Sequence, residues 1–558
     1  MFISCSYVVP VRQNLPGQSG GGSGGDTTSF IMEIDTNISG HTPNNQFRLY
    51  SSGNTGRPYT VDWGDGSSDV DTNSNDITHT YASPGVYDIS ITYPYNRIWV
   101  AATNDKNKIK KIKQWGNLPW VNMASSFSRS GNMNITAIDV GDFSNVTSWS
   151  QAFRNTPSLT SLGNYSNWVT SSCTNMSLML YATGLSGTLD FTGWDTSNVT
   201  NISYLISTNP GLTSIDTTGW DVSKVTTFFN FASACANLDT IIGHENWDTS
   251  SATNFANFLY NTKPTQFDPS SWDVSKVTNF SQAFRSALNN VGSIDLSNWT
   301  INTNSNVNMS LMMSFNNQLT SVGDISSWDV SRVTNLSYLG ANCSVLQLPN
   351  LSSWDTGNVT TLRNAFSGMG TNASVSGIEN WDTSSLVGSG AMQCFYLCRA
   401  LNTTAINWDL RNCNNIYQLF RQADFQNGSF TMNIQTSSTL TNASQLFYAA
   451  SSFNSITIGN NVDFSNVTNF SYAFGQMGSL SLTLPANFSF ASGTNFTQFL
   501  TGTTLSSSDY NTLLIYIEAS NQNNNINFDA QFCVATGAGL TARNALINDH
   551  GWTINDNS

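Results

Sequence analysis

Charge is what this 558-residue chain has least of: Asp, Glu, Lys and Arg make up only 10% of it, against roughly 25% in ordinary soluble domains. The balance is acidic, with 21 basic and 35 acidic residues and a net charge of -14. A partner such as a nucleic-acid backbone or an anionic membrane needs condensed Lys and Arg, so both are excluded as expectations. The one basic run, Lys106 to Lys113 in DKNKIKKIK, is interleaved with Ile109 and Ile112 and reads as a strand face or domain junction, the alternative being an anionic-partner patch. Histidine is scarce too: His41, His79, His244 and His550 lie far apart, without metal-motif spacing. The eight cysteines are scattered and read as single buried thiols, and Cys394, Cys398 and Cys413 are too sparse for a zinc site. No apolar run is long enough to span a bilayer, so no membrane insertion is expected. The N-terminal MFISCSYVVPVRQNLPG has no basic start followed by a long apolar stretch, which reads as the absence of a secretory signal.

What the chain does have is organisation. Residues 1–29 read as a short peptide, either anchoring or disordered, that includes the flexible linker GQSGGGSGGD at 17–26. Residues 30–102 carry short alternating runs (FIMEID, FRLY, YTVDWGDG, ITHTY, GVYDISITY) broken by turn residues, the pattern of strands. Trp63-Gly64-Asp65-Gly66, then His79-Thr80-Tyr81 leading through Pro84-Gly85 to Tyr87, Ile89 and Ile91, resembles a polycystic-kidney-disease type (PKD) domain. That resemblance implies an immunoglobulin-like β-sandwich serving as a spacer or adhesive module, without catalysis.

Residues 103–502 are a repeat array. A Trp-phase position recurs from Trp115 to Phe488 in fourteen steps of about 27 residues, giving fifteen units. Counting from the Trp, apolar residues return at the eighth, eleventh and twelfth positions, as in Phe280, Ala283 and Phe284, which predicts a helix of about two turns. Runs such as Leu212-Thr213-Ser214-Ile215 and Ser455-Ile456-Thr457-Ile458 predict one short strand per unit. Stacked at about 4.8 Å per step, the units would form a rod on the order of 70 Å long. The units after Trp299 and Trp381 are delayed and should bulge, and residues 503–558 read as a capping region with two helical segments.

The pattern in Trp194-Asp195-Thr196-Ser197-Asn198-Val199-Thr200-Asn201 and in Trp272 to Asn279 is similar to the BspA-like, mycoplasma-lipoprotein type of leucine-rich repeat. The expected fold class is therefore α+β: a right-handed leucine-rich-repeat-type solenoid of short parallel strands and short helices behind the N-terminal sandwich. The resemblance implies adhesion or host recognition on bacterial and protist surfaces and in phage particles.

Trp194, Trp220, Trp247, Trp272, Trp328, Trp354, Trp381 and Trp408 keep phase too closely to be separate sugar platforms, and are expected to stack as a structural column. Asp195, Asp221, Asp248, Asp273, Asp329, Asp355, Asp382 and Asp409 follow them, and the residue two positions on can supply an N–H for an Asx-type turn. Calcium along that column is the one cofactor left open. Catalysis is not expected, because general acid and base chemistry needs two carboxylates in unlike environments and these environments repeat.

The tenth position holds Gln151, Tyr204, Asn230, Asn257, Gln282, Tyr338, Asn364, Gln418 and Tyr472. Lying between buried residues of the expected helix, it should point outward, either to stack on and hydrogen-bond a ligand or simply to solvate the surface. Together these readings predict a non-enzymatic phage virion or appendage protein engaged in host-surface recognition. Its N-terminal region would contact other virion proteins, its rod a host glycan or protein, with homo-oligomers possible. The alternative is a bacterial cell-surface adhesin, and a polysaccharide-degrading enzyme ranks third.

Overall fold

The computed structural model describes residues 26–50, 53–73, 76–99, 104–425, 428–486 and 488–558. The N-terminal peptide and the linker up to residue 25 lie outside them.

Alternation in the sequence makes the first strands. In β1 (Phe30–Asp35), Phe30, Met32 and Ile34 turn into the core while their neighbours stay half-exposed. β2 (Gln46–Leu49), β3 (Tyr59–Asp62), β4 (Ser68–Asp71), β5 (Ile77–Thr80) and β6 (Val86–Ile91) follow. The order β4-β3-β6-β1 is antiparallel throughout, and β2 pairs with β5 separately. The two motifs of this region meet in space. Trp63 stacks on His79 at 4.8 Å, His79 Nε2 lies 2.8 Å from Asp65 Oδ2, and the Tyr81 hydroxyl donates to the Trp63 carbonyl at 3.1 Å. Tyr81, Ile89 and Ile91 are buried, while Tyr87 is half-buried and stacks on Tyr81 at 3.8 Å.

The basic run is a junction. It forms β7 (Ile109–Gln114), antiparallel to β1 on one edge and parallel to β8 (Asn134–Ile135) on the other. One strand thus belongs both to the head sheet and to the first rung of the array. Register shifts in the β1–β7 pairing let Ile109 and Ile112, three residues apart, both face the core. Two of its lysines pair with the head's carboxylates: Lys111 with Glu33 at 3.0 Å, Lys113 with Asp88 at 2.8 Å. Lys108 is wholly buried and donates to the carbonyls of Thr42, Pro43 and Gln46 at 3.0, 2.9 and 2.8 Å, which ties the entry to β2 onto the start of the array.

Beyond Trp115 the chain stacks as a parallel β-solenoid of short strands. Leu212–Asp216 pairs in parallel with Gly187–Asp190 before it and Thr240–Ile242 after it. Further along, Ala405–Ile406, Ser429–Met432, Ser455–Ile458, Gly478–Thr483 and Thr503–Leu505 form a five-stranded parallel sheet. A second ladder, of single bridges except for the short strand pair at Asn308 and Asn335, joins Ser148, Asn175, Asn201, Thr227, Asn254, Asn279, Asn308, Asn335 and Thr361 in succession. Neither ladder is available to a lone unit, since each rung pairs only with its neighbours.

The helix expected in every unit is absent from the described rungs; the two α-helices described are α1 (Ser507–Ser520) and α2 (Gly537–His550), both in the C-terminal region. In its place stand back-to-back turns. The N–H groups of Phe280, Gln282, Phe284 and Ser286 donate to the carbonyls of Asn308, Ser310, Met312 and Ser314 in the next rung, at 2.8 to 3.0 Å. Those of Ala283, Arg285 and Ala287 instead reach the carbonyl three residues back, at 2.9 to 3.2 Å. Gln282 and Ser286 are left-handed, with φ of 58° and 55°. Such turns reproduce the three-and-four spacing of a helix, so Phe280, Ala283 and Phe284 are buried although the backbone is not helical. A left-handed non-glycine residue costs about 1–2 kcal/mol, and the axial hydrogen bond to the next rung offsets it only when that rung is present.

The delayed units resume this geometry. After Trp299 the extra residues form a loop in which Asn302 Oδ1 accepts the N–H of Asn304 at 2.8 Å and of Ser305 at 3.1 Å. Met309, Met312 and Met313 then fill the core, and the left-handed positions fall at Leu311 and Phe315. At the C-terminal end α1 buries Tyr510, Leu513, Leu514 and Ile517, and the parallel pair Asn527–Asp529 and Thr553–Asn555 closes the stack.

Candidate functional site

The Trp-Asp pair forms one corner of the eight rungs that carry it. All eight Trp of the column are at most 5% exposed, so none offers a free platform. Neighbouring indoles lie nearly parallel: Trp220 to Trp247 at 6.4 Å, Trp247 to Trp272 at 5.8 Å, Trp328 to Trp354 at 6.1 Å and Trp354 to Trp381 at 5.9 Å. Seven of the eight indole N–H groups obey one rule, donating to the carbonyl three residues before the preceding Trp. Thus Trp194 reaches Tyr165, Trp220 Phe191, Trp272 His244, Trp328 Leu296, Trp354 Ile325, Trp381 Leu351 and Trp408 Ile378, at 2.8 to 3.1 Å. The indole N–H of Trp247 is buried without an acceptor.

Each carboxylate beside this column turns back on its own chain. Asp195, Asp221, Asp248, Asp273, Asp329, Asp355, Asp382 and Asp409 accept the backbone N–H two residues on, from Ser197, Ser223, Ser250, Ser275, Ser331, Gly357, Ser384 and Arg411, at 2.9 to 3.1 Å. Hydrogen bonds from Ser223, Ser275 and Ser331 hold Asp221, Asp273 and Asp329 below the usual carboxylate range, and the Arg411 side chain does the same for Asp409. These are turn acceptors in repeated surroundings. Among the described residues, no group of three or more His, Cys, Asp or Glu is placed to hold a metal ion. The seven described cysteines are free and buried, and burial pushes the thiol of Cys173 up to about 11 and that of Cys235 up to about 12, away from nucleophilic use.

The tenth position is not the outward-pointing column that a helix would make. Asn230, Asn364 and Gln418 are buried, and Gln151, Tyr204, Asn257, Gln282, Tyr338 and Tyr472 are half-buried; none is fully exposed. The physical reason is the backbone: all nine residues are left-handed, with φ between 54° and 60°. Two of them, Asn364 and Gln418, join their counterparts Gln393 and Gln445 in adjoining rungs. Asn364 Nδ2 donates to Gln393, Gln393 Nε2 to Gln418 and Gln418 Nε2 to Gln445, at 3.2, 2.6 and 2.7 Å, an amide ladder across four rungs.

A second column, three residues further on, carries chemistry that the sequence reading did not single out. The Arg285 guanidinium lies over the Tyr260 ring at 5.2 Å and the Phe315 ring at 4.9 Å, in the rungs before and after it. Arg421 repeats the arrangement between Tyr396 at 5.2 Å and Tyr448 at 5.3 Å, and Arg154 lies over Tyr181 at 5.9 Å. Arg154 and Arg285 each donate an Nη1 hydrogen bond to the Gln three residues back, at 2.9 and 2.8 Å, so the tenth-position amides Gln151 and Gln282 anchor the cations. Tyr181, Tyr204 and Phe229 continue the aromatic row edge to face, at 5.8 and 5.1 Å. The signal for this column lay in the alignment of units, since Arg154, Arg285 and Arg421 share one phase.

These features define a class: a parallel β-solenoid whose repeated corners are structural and whose variable residues gather on one ladder face. The chain belongs to the family described as Mycoplasma protein of unknown function, DUF285, whose model matches residues 98–214, 208–321, 270–373, 307–433, 370–488 and 429–513. No curated protein matches it. Among solved structures, it is similar to a leucine-rich cell surface protein from Faecalibacterium prausnitzii A2-165, with 14% identity over 79% of this chain and 95% of that one and a TM-score of 0.23. A TLR13–ssRNA13 complex gives 12% identity over 84% of this chain and 78% of that one, with a TM-score of 0.17.

Proposed function

We propose that this protein is a non-enzymatic adhesion or recognition rod displayed on a bacterial cell surface, of the BspA-like type. The observation that carries the reading is the division of labour within each rung. Trp, Asp and the apolar positions are consumed by packing and turn closure, whereas amides, phenols, hydroxyls and arginines line one face from rung to rung. Repetition of a half-exposed polar and aromatic face along a stack is how solenoids present an extended binding surface. The head, read as an immunoglobulin-like spacer, shares β7 with the array and would hold the rod at a fixed angle to whatever lies on its N-terminal side.

The family's description names Mycoplasma, a bacterium, which supports a bacterial protein over a virion component. Fluorescently labelled full-length protein is expected to bind host or neighbouring microbial cells saturably, and an antibody to the array to label the surface of intact producing cells. Absence of both signals would sink the reading.

A further inference from the structure

We propose that the arginine-bearing ladder face binds a linear polysaccharide whose carboxylates are separated by neutral sugars, laid along the rod axis. This names the ligand class of the adhesive reading and rests on it.

The first ground is charge. The seven-residue segment from the eighth to the fourteenth position of every rung, fifteen segments from 123–129 to 496–502, contains no Asp or Glu, yet it contains five Arg. In a chain of net charge -14 this face is its own electrostatic domain, and it is positive.

The second ground is how the cations are held. Aromatic rings flank Arg285 and Arg421, and a glutamine anchors one edge of Arg285. The Nε atoms of Arg154, Arg285 and Arg421 are buried without an acceptor, and among the described residues none of the three forms an ion pair with a carboxylate. A guanidinium fixed by ring faces, with no carboxylate partner of its own, keeps its planar fork in register, and with Nε buried its terminal Nη groups are the donors offered to an incoming carboxylate.

The third ground is spacing. The three clamped arginines stand in the second, seventh and twelfth rungs, five rungs apart, or roughly 24 Å at about 4.8 Å per rung. Nucleic acid presents a charge every ~1.7 Å of axis and calls for dense cations. Between the clamps lie Ser203 and Tyr204 in the fourth rung and Ser337 and Tyr338 in the ninth, groups that hydrogen-bond and stack on neutral sugar rings.

The test measures binding of the full chain at low salt to hyaluronate and gellan, to the methyl esters of both, to dextran and to single-stranded polyadenylate. The acidic polymers are expected to bind, with the esters and dextran at least tenfold weaker. R285Q/R421Q is expected to lose at least tenfold in affinity for the acids; should that variant misfold, the comparison of acid with ester on the native chain decides. Equal affinity for acid and ester, no binding of either acid, or tighter binding of polyadenylate would each overturn the proposal. Cells that bind the protein while both acids fail would sink this inference and leave the adhesive reading standing; acids that bind while no cell does would do the reverse.

Discussion

Asp529 Oδ2 accepts the backbone N–H of Gln498 at 3.0 Å, in the place where earlier rungs offer a backbone carbonyl, as Thr497 does to Tyr472 at 3.0 Å. The axial hydrogen bonds of the turn ladder all donate towards the C-terminus, so the last rung needs an acceptor from outside the repeat, and a carboxylate provides one. Asp529→Ala is expected to leave a donor unpaired at a cost of about 1–3 kcal/mol, with faster amide exchange at Gln498 and its neighbours. Asp529→Asn, which keeps an acceptor, should cost less; unchanged exchange in Asp529→Ala would remove the capping role.

Left-handed backbone at the tenth position makes side-chain shape decisive. Asn257 has φ of 54° and donates its N–H to Ser281 of the next rung at 2.9 Å. Asn257→Val places a β-branched residue in that conformation and is expected to cost at least about 1–2 kcal/mol in urea unfolding, whereas Asn257→Gly should be nearly neutral. Equal effects of Val and Gly would contradict this account of the turn.

The indole column predicts a large penalty for truncation. Trp328 is 3% exposed and stacks on Trp299 at 6.2 Å and Trp354 at 6.1 Å. Trp328→Ala is expected to destabilise the array by about 3–5 kcal/mol, measured by chemical denaturation. Trp328→Phe should lose less, retaining ring burial while giving up the hydrogen bond to Leu296.

Acid should loosen the Asp corners. Folding depresses Asp221, Asp273, Asp329 and Asp409 because it fixes the turns in which their carboxylates accept these hydrogen bonds. Their contribution is complete above the unfolded value of about 3.9 and is lost as pH falls through the lower folded values. The melting temperature is therefore expected to drop below about pH 4. Replacing Asp221, Asp273 and Asp329 together by Asn, which keeps the Asx acceptor but cannot ionise, should flatten that drop; an undiminished drop would assign it to other groups.

Chelation distinguishes turn acceptors from metal ligands. Because each column carboxylate is already engaged by its own backbone N–H, excess EDTA is expected to leave the melting temperature unchanged. A fall on chelation, restored by calcium, would show that the column holds a divalent cation as well.

Much of this architecture was legible from residue phase alone. A Trp returning every 27 residues or so, with apolar residues at fixed offsets, gives stacked rungs with Phe280, Ala283 and Phe284 inside whatever the local backbone does, because burial follows position in the repeat. The same phase made Asp273 and its fellows acceptors for the N–H two residues on, a contact within three consecutive residues that needs no tertiary partner. The helix failed for the complementary reason: residues three and four apart share a side both in a helix and in paired turns, and only the bond from Gln282 to Ser310 of the next rung distinguishes them.

Sequence by itself therefore determined what depends on neighbours along the chain: the rung length, the buried apolar positions, the Asx corners and the scarcity of charge. Tertiary structure alone decided what depends on residues a rung apart. The left-handed conformation at Gln282, the burial of Gln418 in an amide ladder and the clamping of Arg285 between Tyr260 and Phe315 rest on contacts across stacked rungs, and the sharing of β7 between head and array on its pairing with β1, far earlier in the chain. Axial hydrogen bonds and ring contacts between residues some 25 to 30 positions apart select those states, and no short stretch of sequence contains both partners.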